Sequence, residues 1–305
     1  PAGKAEADAA EQRAIAAARA GGAPSDPNAG APKDANSTAG YNSFWTDPGI
    51  SLMKVRGEAR SSYIMDPADG KIPYTEAGIA ANTRGGNYDD YEARPLPERC
   101  LMSFTGAAGP VMNNGLYNNT YQIVQTPGAV MIDVEMMHDA RVIRIGETQK
   151  PEALKQWLGD STGRWDGDTL VVVTKNWNRW HGDYEPVFLS EKATVTERFT
   201  RTGKDEITYQ FEIDDPGFYS QPWKGEMVFT PSNGPVYEYA CHEGNYALEH
   251  ILQGARVRDA IALAELGVES VRQRAGEFGD VGSVTGSTHV GVARIGVAVA
   301  HIVGD

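Results

Sequence analysis

Two cysteines in 305 residues are too few for a disulfide-built scaffold, so the fold has to rest on a packed core. One bridge, Cys100–Cys241, is available. The alternative is a pair of free buried thiols, and spacing does not choose between them. No apolar run approaches the roughly 18 residues that cross a bilayer as a helix. The apolar stretch near the end, Val292–Val303, is short and is interrupted by Arg294 and His301. Basic residues are scarce as well: 28 Lys and Arg stand against 41 Asp and Glu, a formal net charge of −13. Phosphate backbones and anionic membranes repel such a chain, so neither nucleic acid nor membrane is expected as a partner. The sequence also lacks a Gly-x-Ser-x-Gly elbow, a phosphate loop, a dinucleotide fingerprint and the His-x-x-x-His or Cys-x-x-Cys spacing of a compact metal site. No cofactor and no metal are expected.

What is present is an ordinary hydrophobic fraction of 41%, enough for a globular core. Residues 1–40 read as a low-complexity arm and linker. Lys4–Ala20 is Ala-rich and helical by propensity, but it has almost no large apolar side chains. Gly21–Gly40 is rich in Gly, Pro, Asn and Ser. Little stability is expected from either piece. Residues 41–117 carry turn signals such as Asp47-Pro48-Gly49, Asp66-Pro67-Ala68-Asp69-Gly70 and Arg94-Pro95-Leu96-Pro97. Phe44, Trp45, Tyr63, Ile64 and Tyr74 are spaced among them, which predicts an extended arm packed on the core. Residues 257–305 begin helically, become Gly- and Val-rich, and carry no assigned role.

Residues 118–256 hold the core. Short β-branched or aromatic runs bounded by turn residues predict strands at Tyr121–Thr126, Ala129–Glu135, Arg141–Ile145, Thr169–Thr174, Ala193–Thr200, Glu206–Ile213, Glu226–Thr230 and Val236–Cys241. Thr126-Pro127-Gly128 and Asp166-Gly167-Asp168 read as hairpin turns. Close spacing without intervening helices argues against parallel βαβ units. The expectation is a mainly β chain: an antiparallel, about eight-stranded barrel-like (lipocalin-like) or sandwich core, with an extended N-terminal arm and one short helix at Lys150–Leu158. Period-2 spacing places Val195, Phe199, Tyr209 and Phe211 in its interior.

Alternation also selects candidate chemistry. Glu197 shares a face with Val195 and Phe199, and Arg141 shares one with Ile143 and Ile145. Both should point inward, where a charge needs a partner, so an Arg141–Glu197 pair is expected. It reads either as structural or as part of a site. Glu135-Met136-Met137-His138-Asp139-Ala140-Arg141 brings carboxylate, imidazole and guanidinium into one connection, a combination suited to general acid–base work. On strict alternation Glu135 faces solvent; a bulge would reverse it. Cys241-His242-Glu243-Gly244-Asn245-Tyr246 follows the last expected strand and puts His242 at a strand end. Glu135, His138, Arg141, Glu197 and His242 are the catalytic candidates, expected to converge on one concave site. Tyr117, Asn119, Tyr121, Arg164, Trp165, Glu243, Asn245 and Tyr246 are the candidates for contacting a ligand. The plainer readings are a solvated hairpin end for Glu135–Arg141, a capped turn for Tyr117–Tyr121 and a stacked or end-closing Arg164.

Several runs resemble those of an uncharacterised family of exported bacterial proteins. They are Ile64–Pro73, Glu98-Arg99-Cys100, Tyr117-Asn118-Asn119 with Tyr121–Gly128, and Glu135–Arg141. The densest are Gly159-Asp160-Ser161-Thr162-Gly163-Arg164-Trp165-Asp166-Gly167-Asp168-Thr169-Leu170 and Tyr237-Glu238-Tyr239-Ala240-Cys241-His242-Glu243-Gly244-Asn245-Tyr246. The resemblance implies a periplasmic or secreted protein; it brings no activity, substrate or catalytic residue. A first residue of proline fits a processed N-terminus. The functional expectation is an exported enzyme acting on a small organic molecule, a sugar derivative or plant aromatic, by lyase, isomerase or hydrolase chemistry. The competing readings are a non-catalytic small-ligand-binding barrel and a structural protein that forms homo-oligomers through its termini.

Overall fold

The computed structural model describes Ala9 and residues 53–60, 62–82, 89–103, 109–113, 117–178, 187–232 and 234–277, the last ten without side chains. Apart from Ala9, the low-complexity arm of residues 1–40 lies outside them. So do Phe44 and Trp45 and the Gly/Val-rich tail. By its contacts the chain divides into two units, Pro1–Gln253 and Gly254–Asp305.

The first unit is mainly β. A two-stranded hairpin, β1 (Lys54–Val55) and β2 (Glu58–Ala59), precedes β3 (Ile64–Asp66) and a short helix α1 (Glu76–Asn82). Eight strands follow: β4 (Tyr121–Gln125), β5 (Ala129–Val134), β6 (Ala140–Ile145), β7 (Asp160–Asp166), β8 (Thr169–Lys175), β9 (Thr194–Gly203), β10 (Glu206–Asp214) and β11 (Trp223–Phe229). They form one nine-stranded sheet with β3 at one edge, in the order β3-β11-β10-β9-β8-β7-β6-β5-β4. A long helix α2 (Tyr246–Glu277) crosses into the second unit, which is helical from its first residue to Glu277.

Alternating side chains build the core on one face. Leu170, Val172, Val195, Phe199, Tyr209, Phe211 and Ile213 are all buried, and register aligns them across strands. Gly163, Val172, Glu197, Phe211 and Gly225 form one row over β7 to β11. Its two glycines leave room for bulky neighbours: a Cβ on Gly225 would meet the Phe211 ring, and one on Gly163 would meet Ile143 and Ile145. The sheet is strongly coiled. Seven steps separate β4 from β11, about 34 Å if flat, yet the Tyr121 and Phe229 rings lie 5.3 Å apart.

The structure corrects several expectations. The sheet curls but does not close: among the described residues no ladder links β4 to β3 or β11. It is not wholly antiparallel, because β6 and β7 pair in parallel. Their crossover, residues 146–159, contains no helix. Extended bonds replace the one expected at Lys150–Leu158. The Gln156 amide donates to the Asn176 carbonyl at 2.9 Å, and Asn176 Nδ2 donates to the Lys150 carbonyl at 2.9 Å. Buried Asp160 gathers Arg144 at 2.8 Å and the Lys150 amide at 2.6 Å. Asp160–Asp166, where the sequence predicts no strand, forms β7. Val236–Cys241, read as a strand, is an irregular segment ending in a turn. The two cysteines are bridged, with Cα atoms 5.8 Å apart.

Candidate functional site

The interior polar centre is the pair that alternation placed there. Glu197 is 0% exposed and Arg141 2%. Arg141 Nη1 donates to Glu197 Oε2 at 2.6 Å and Nη2 to Oε1 at 3.0 Å, a two-point contact. The Tyr209 hydroxyl donates to Glu197 Oε1 at 2.9 Å and accepts the Met112 amide at 3.1 Å. Burial, then the Glu197 charge, pushes the Tyr209 phenol well up, so it stays a donor. Buried Val111 and Met112 belong to the segment 109–113, and Met112 Sδ lies 3.4 Å from Arg141 Nη2. Two buried donors here have no partner among the described residues: Arg141 Nε and Asn113 Nδ2. Tyr121 stands beside them. Its hydroxyl donates to the Asn113 carbonyl at 3.4 Å; burial raises its pKa and the Arg141 charge opposes the rise.

A second group forms where β5 gives way to β6. The chain leaves the strand at Glu135, whose φ and ψ of −57° and −39° are helical. Met137 and His138 then take positive φ values of 63° and 52°. This break in alternation buries both Val134 and Glu135, the reversal that a bulge would bring. Glu135 Oε1 accepts Asn118 Nδ2 at 2.8 Å, and Oε2 accepts the Tyr237 amide at 2.9 Å. His138 Nε2 accepts the Tyr239 amide at 3.0 Å. Two side chains of the acid–base motif thus hold alternate amides of one irregular segment. The Tyr117 and Tyr239 phenols hydrogen-bond to each other, and burial raises both. They pack with Val134 and Met136 in a small apolar cluster.

The five catalytic candidates therefore fall into three places. Arg141 and Glu197 meet inside, Glu135 and His138 meet on the segment from 237 to 239, and His242 is exposed in the turn after the disulfide. Among the described residues no hydrogen bond or ion pair joins His242 to the other four. Asn245 ties that turn to the arm, donating to the Glu98 carbonyl at 2.7 Å. Glu243 and Tyr246 are exposed, and Arg164 and Trp165 are exposed at the β7–β8 hairpin end. Asn119 is half-buried ahead of β4. Sequence reasoning missed Tyr209, Met112 and Asn113 as members of the interior centre. Tyr209 could have been found, since it faces the same side as Phe211, one strand from Glu197. Met112 and Asn113 sit in an irregular segment with no periodic signal. Among the described residues no group of acidic, histidine or cysteine side chains could hold a metal, and no helix is long and apolar enough to cross a membrane.

Comparison with family models, with curated proteins and with solved structures finds no match.

Proposed function

We propose that this chain is an exported, non-catalytic small-molecule-binding protein whose ligand enters at the unclosed side of the coiled sheet. There it offers an acceptor oxygen to Arg141 Nε and Asn113 Nδ2. The observation that carries this reading is the pair of unpartnered buried donors beside Tyr121. A buried donor left without an acceptor costs about 1–3 kcal/mol, which an incoming oxygen recovers. The Arg141 charge is matched by Glu197, so the centre is neutral overall and favours a carbonyl over a carboxylate. Tyr121 and Phe229 present aromatic surface, and Ile123, on the concave side of β4 by register, is 41% exposed. A flat aromatic carbonyl compound fits these features.

Acid–base turnover is the weaker reading. Glu135 and Glu197 each spend both oxygens on hydrogen bonds, and His138 Nε2 accepts a backbone amide. The assembly reading rests on termini that lie largely outside the described residues. Export, which the motif resemblance implies, gains support from the disulfide, since such bridges persist in oxidising compartments.

Titration calorimetry with neutral aromatic aldehydes, ketones and amides, alongside the matching carboxylates, tests the proposal. Neutral compounds should bind, and Asn113→Leu should weaken them about fivefold to tenfold, the worth of one hydrogen bond. Preference for carboxylates, equal binding by Asn113→Leu, or no binding by any compound would sink it.

A further inference from the structure

Residues 236–240 cross the end of β5 held by two side-chain acceptors, Glu135 for the Tyr237 amide and His138 for the Tyr239 amide. The segment is covalently anchored on its downstream side. Upstream it follows β11, which ends at Phe229; downstream it runs into Cys241, bridged to Cys100. The Tyr239 side chain of the segment packs with Tyr117 against a small cluster of Val134 and Met136. The imidazole is exposed, so protons reach it without opening the fold.

We propose that this segment is a strap released by protonation of His138. A neutral imidazole nitrogen accepts an N–H bond; an imidazolium presents a second N–H in the same place and cannot. Proton uptake therefore turns the His138–Tyr239 bond into two opposed donors, and the Tyr239 end lifts. The Tyr237 end stays, because its amide is held by Glu135 Oε2 and not by the imidazole. The titratable groups nearest to His138 and Tyr239 along the chain are Glu135 and Asp139 on the same turn, Asp133 on β5 and Glu238 on the strap. The Tyr117 and Tyr239 phenols stay neutral across this range. The bond is thus present above the imidazole's titration and is lost as the pH falls through it. Lifting the strap uncovers the apolar cluster in mildly acidic surroundings. This proposal does not rest on the ligand reading: it needs neither Arg141 Nε nor Asn113 Nδ2, although Tyr121 packs against the same small cluster.

Amide exchange followed by NMR in the intact, disulfide-bonded chain tests it, with rates corrected for the intrinsic pH dependence. As the His138 ring signals titrate, protection of the Tyr239 amide should fall about fivefold to tenfold, the worth of one net hydrogen bond, while the Tyr237 amide changes less. His138→Gln, which offers an amide oxygen that does not titrate, should keep Tyr239 protected at every pH. His138→Ala should expose it at every pH. Constant Tyr239 protection through the His138 titration would overturn the proposal, as would an unchanged pH response in His138→Gln.

Discussion

A carboxylate with no access to water keeps its charge only where neighbours replace the solvent. Glu197 has that replacement in two Arg141 contacts and the Tyr209 hydroxyl. Removing one side of a buried pair strands the other charge, at about 3–5 kcal/mol, whereas replacing both with apolar groups is often neutral. Arg141→Met should thus lower unfolding stability by about that amount, and Arg141→Met with Glu197→Leu should recover most of it. Urea denaturation of both variants decides; equal losses would mean that the pair is not coupled. Asp139 is a different case. Burial raises its carboxyl, against the 2.7 Å hydrogen bond from the Ser103 amide. A folded pKa above the unfolded one gives stability that is present below the unfolded value, about 3.9, and lost as the pH rises through the folded one. Asparagine keeps an acceptor oxygen for Ser103 and cannot ionise. Relative to the parent, Asp139→Asn should therefore be more stable at neutral pH than at pH 3. Denaturation at the two pH values checks the sign.

Among the elements, the row from Gly163 to Gly225 sets how closely strands and side chains approach inside the curl. Phe211 lies over Gly225, with Trp223 edge-on to the same ring at 5.3 Å. Gly225→Ala forces a methyl group into that ring, and overpacking of a filled core costs about 1–3 kcal/mol. A drop of that size in chemical denaturation, with the β signature kept in circular dichroism, is expected. An unchanged midpoint would show that the ring has room to move. Most strands of this sheet were legible because alternation reports burial: Ala129–Val134 and residues 194–200 alternate in the structure as in the sequence. β7 was not, because Gly163 replaces an apolar residue on its inner face and the exposed Arg164-Trp165-Asp166 imitates a turn. The parallel β6–β7 pair was hidden for a related reason. Parallel strands are usually announced by a crossover helix, and here side-chain bonds to Asp160 hold the crossover instead. Arg141 and Glu197 could be read from the sequence because each sits in a regular strand. Glu135 was ambiguous because its orientation depends on a backbone break that no period reveals. The backbone amides that His138 and Glu135 accept lie about a hundred positions away, in a segment whose hydrogen bonds go to side chains rather than to a ladder.

Across the whole molecule, the Cys100–Cys241 bridge joins positions 141 residues apart and encloses β4 to β11 within one covalent loop. Asn245 reinforces it, reaching the Glu98 carbonyl and the Cys100 sulfur. Closing a loop of this size removes much of the unfolded chain's freedom, and bridges of this kind are worth about 2–5 kcal/mol. The core itself does not depend on the bridge for its contacts. The buried rows of β8, β9 and β10 pack on one another, and the disulfide lies in irregular segments outside the sheet. Reduction, or Cys100→Ser with Cys241→Ser, should therefore leave a folded β sheet at room temperature with a lower denaturation midpoint. The strap is affected more directly, since the bridge fixes its downstream end. Exchange protection at Tyr239 should fall on reduction before that of Val195 or Phe211 does. A reduced chain with the parent's midpoint and Tyr239 protection would mean that the bridge constrains neither the unfolded chain nor the strap. Loss of the whole sheet signal on reduction would instead place the bridge at the centre of the fold's stability.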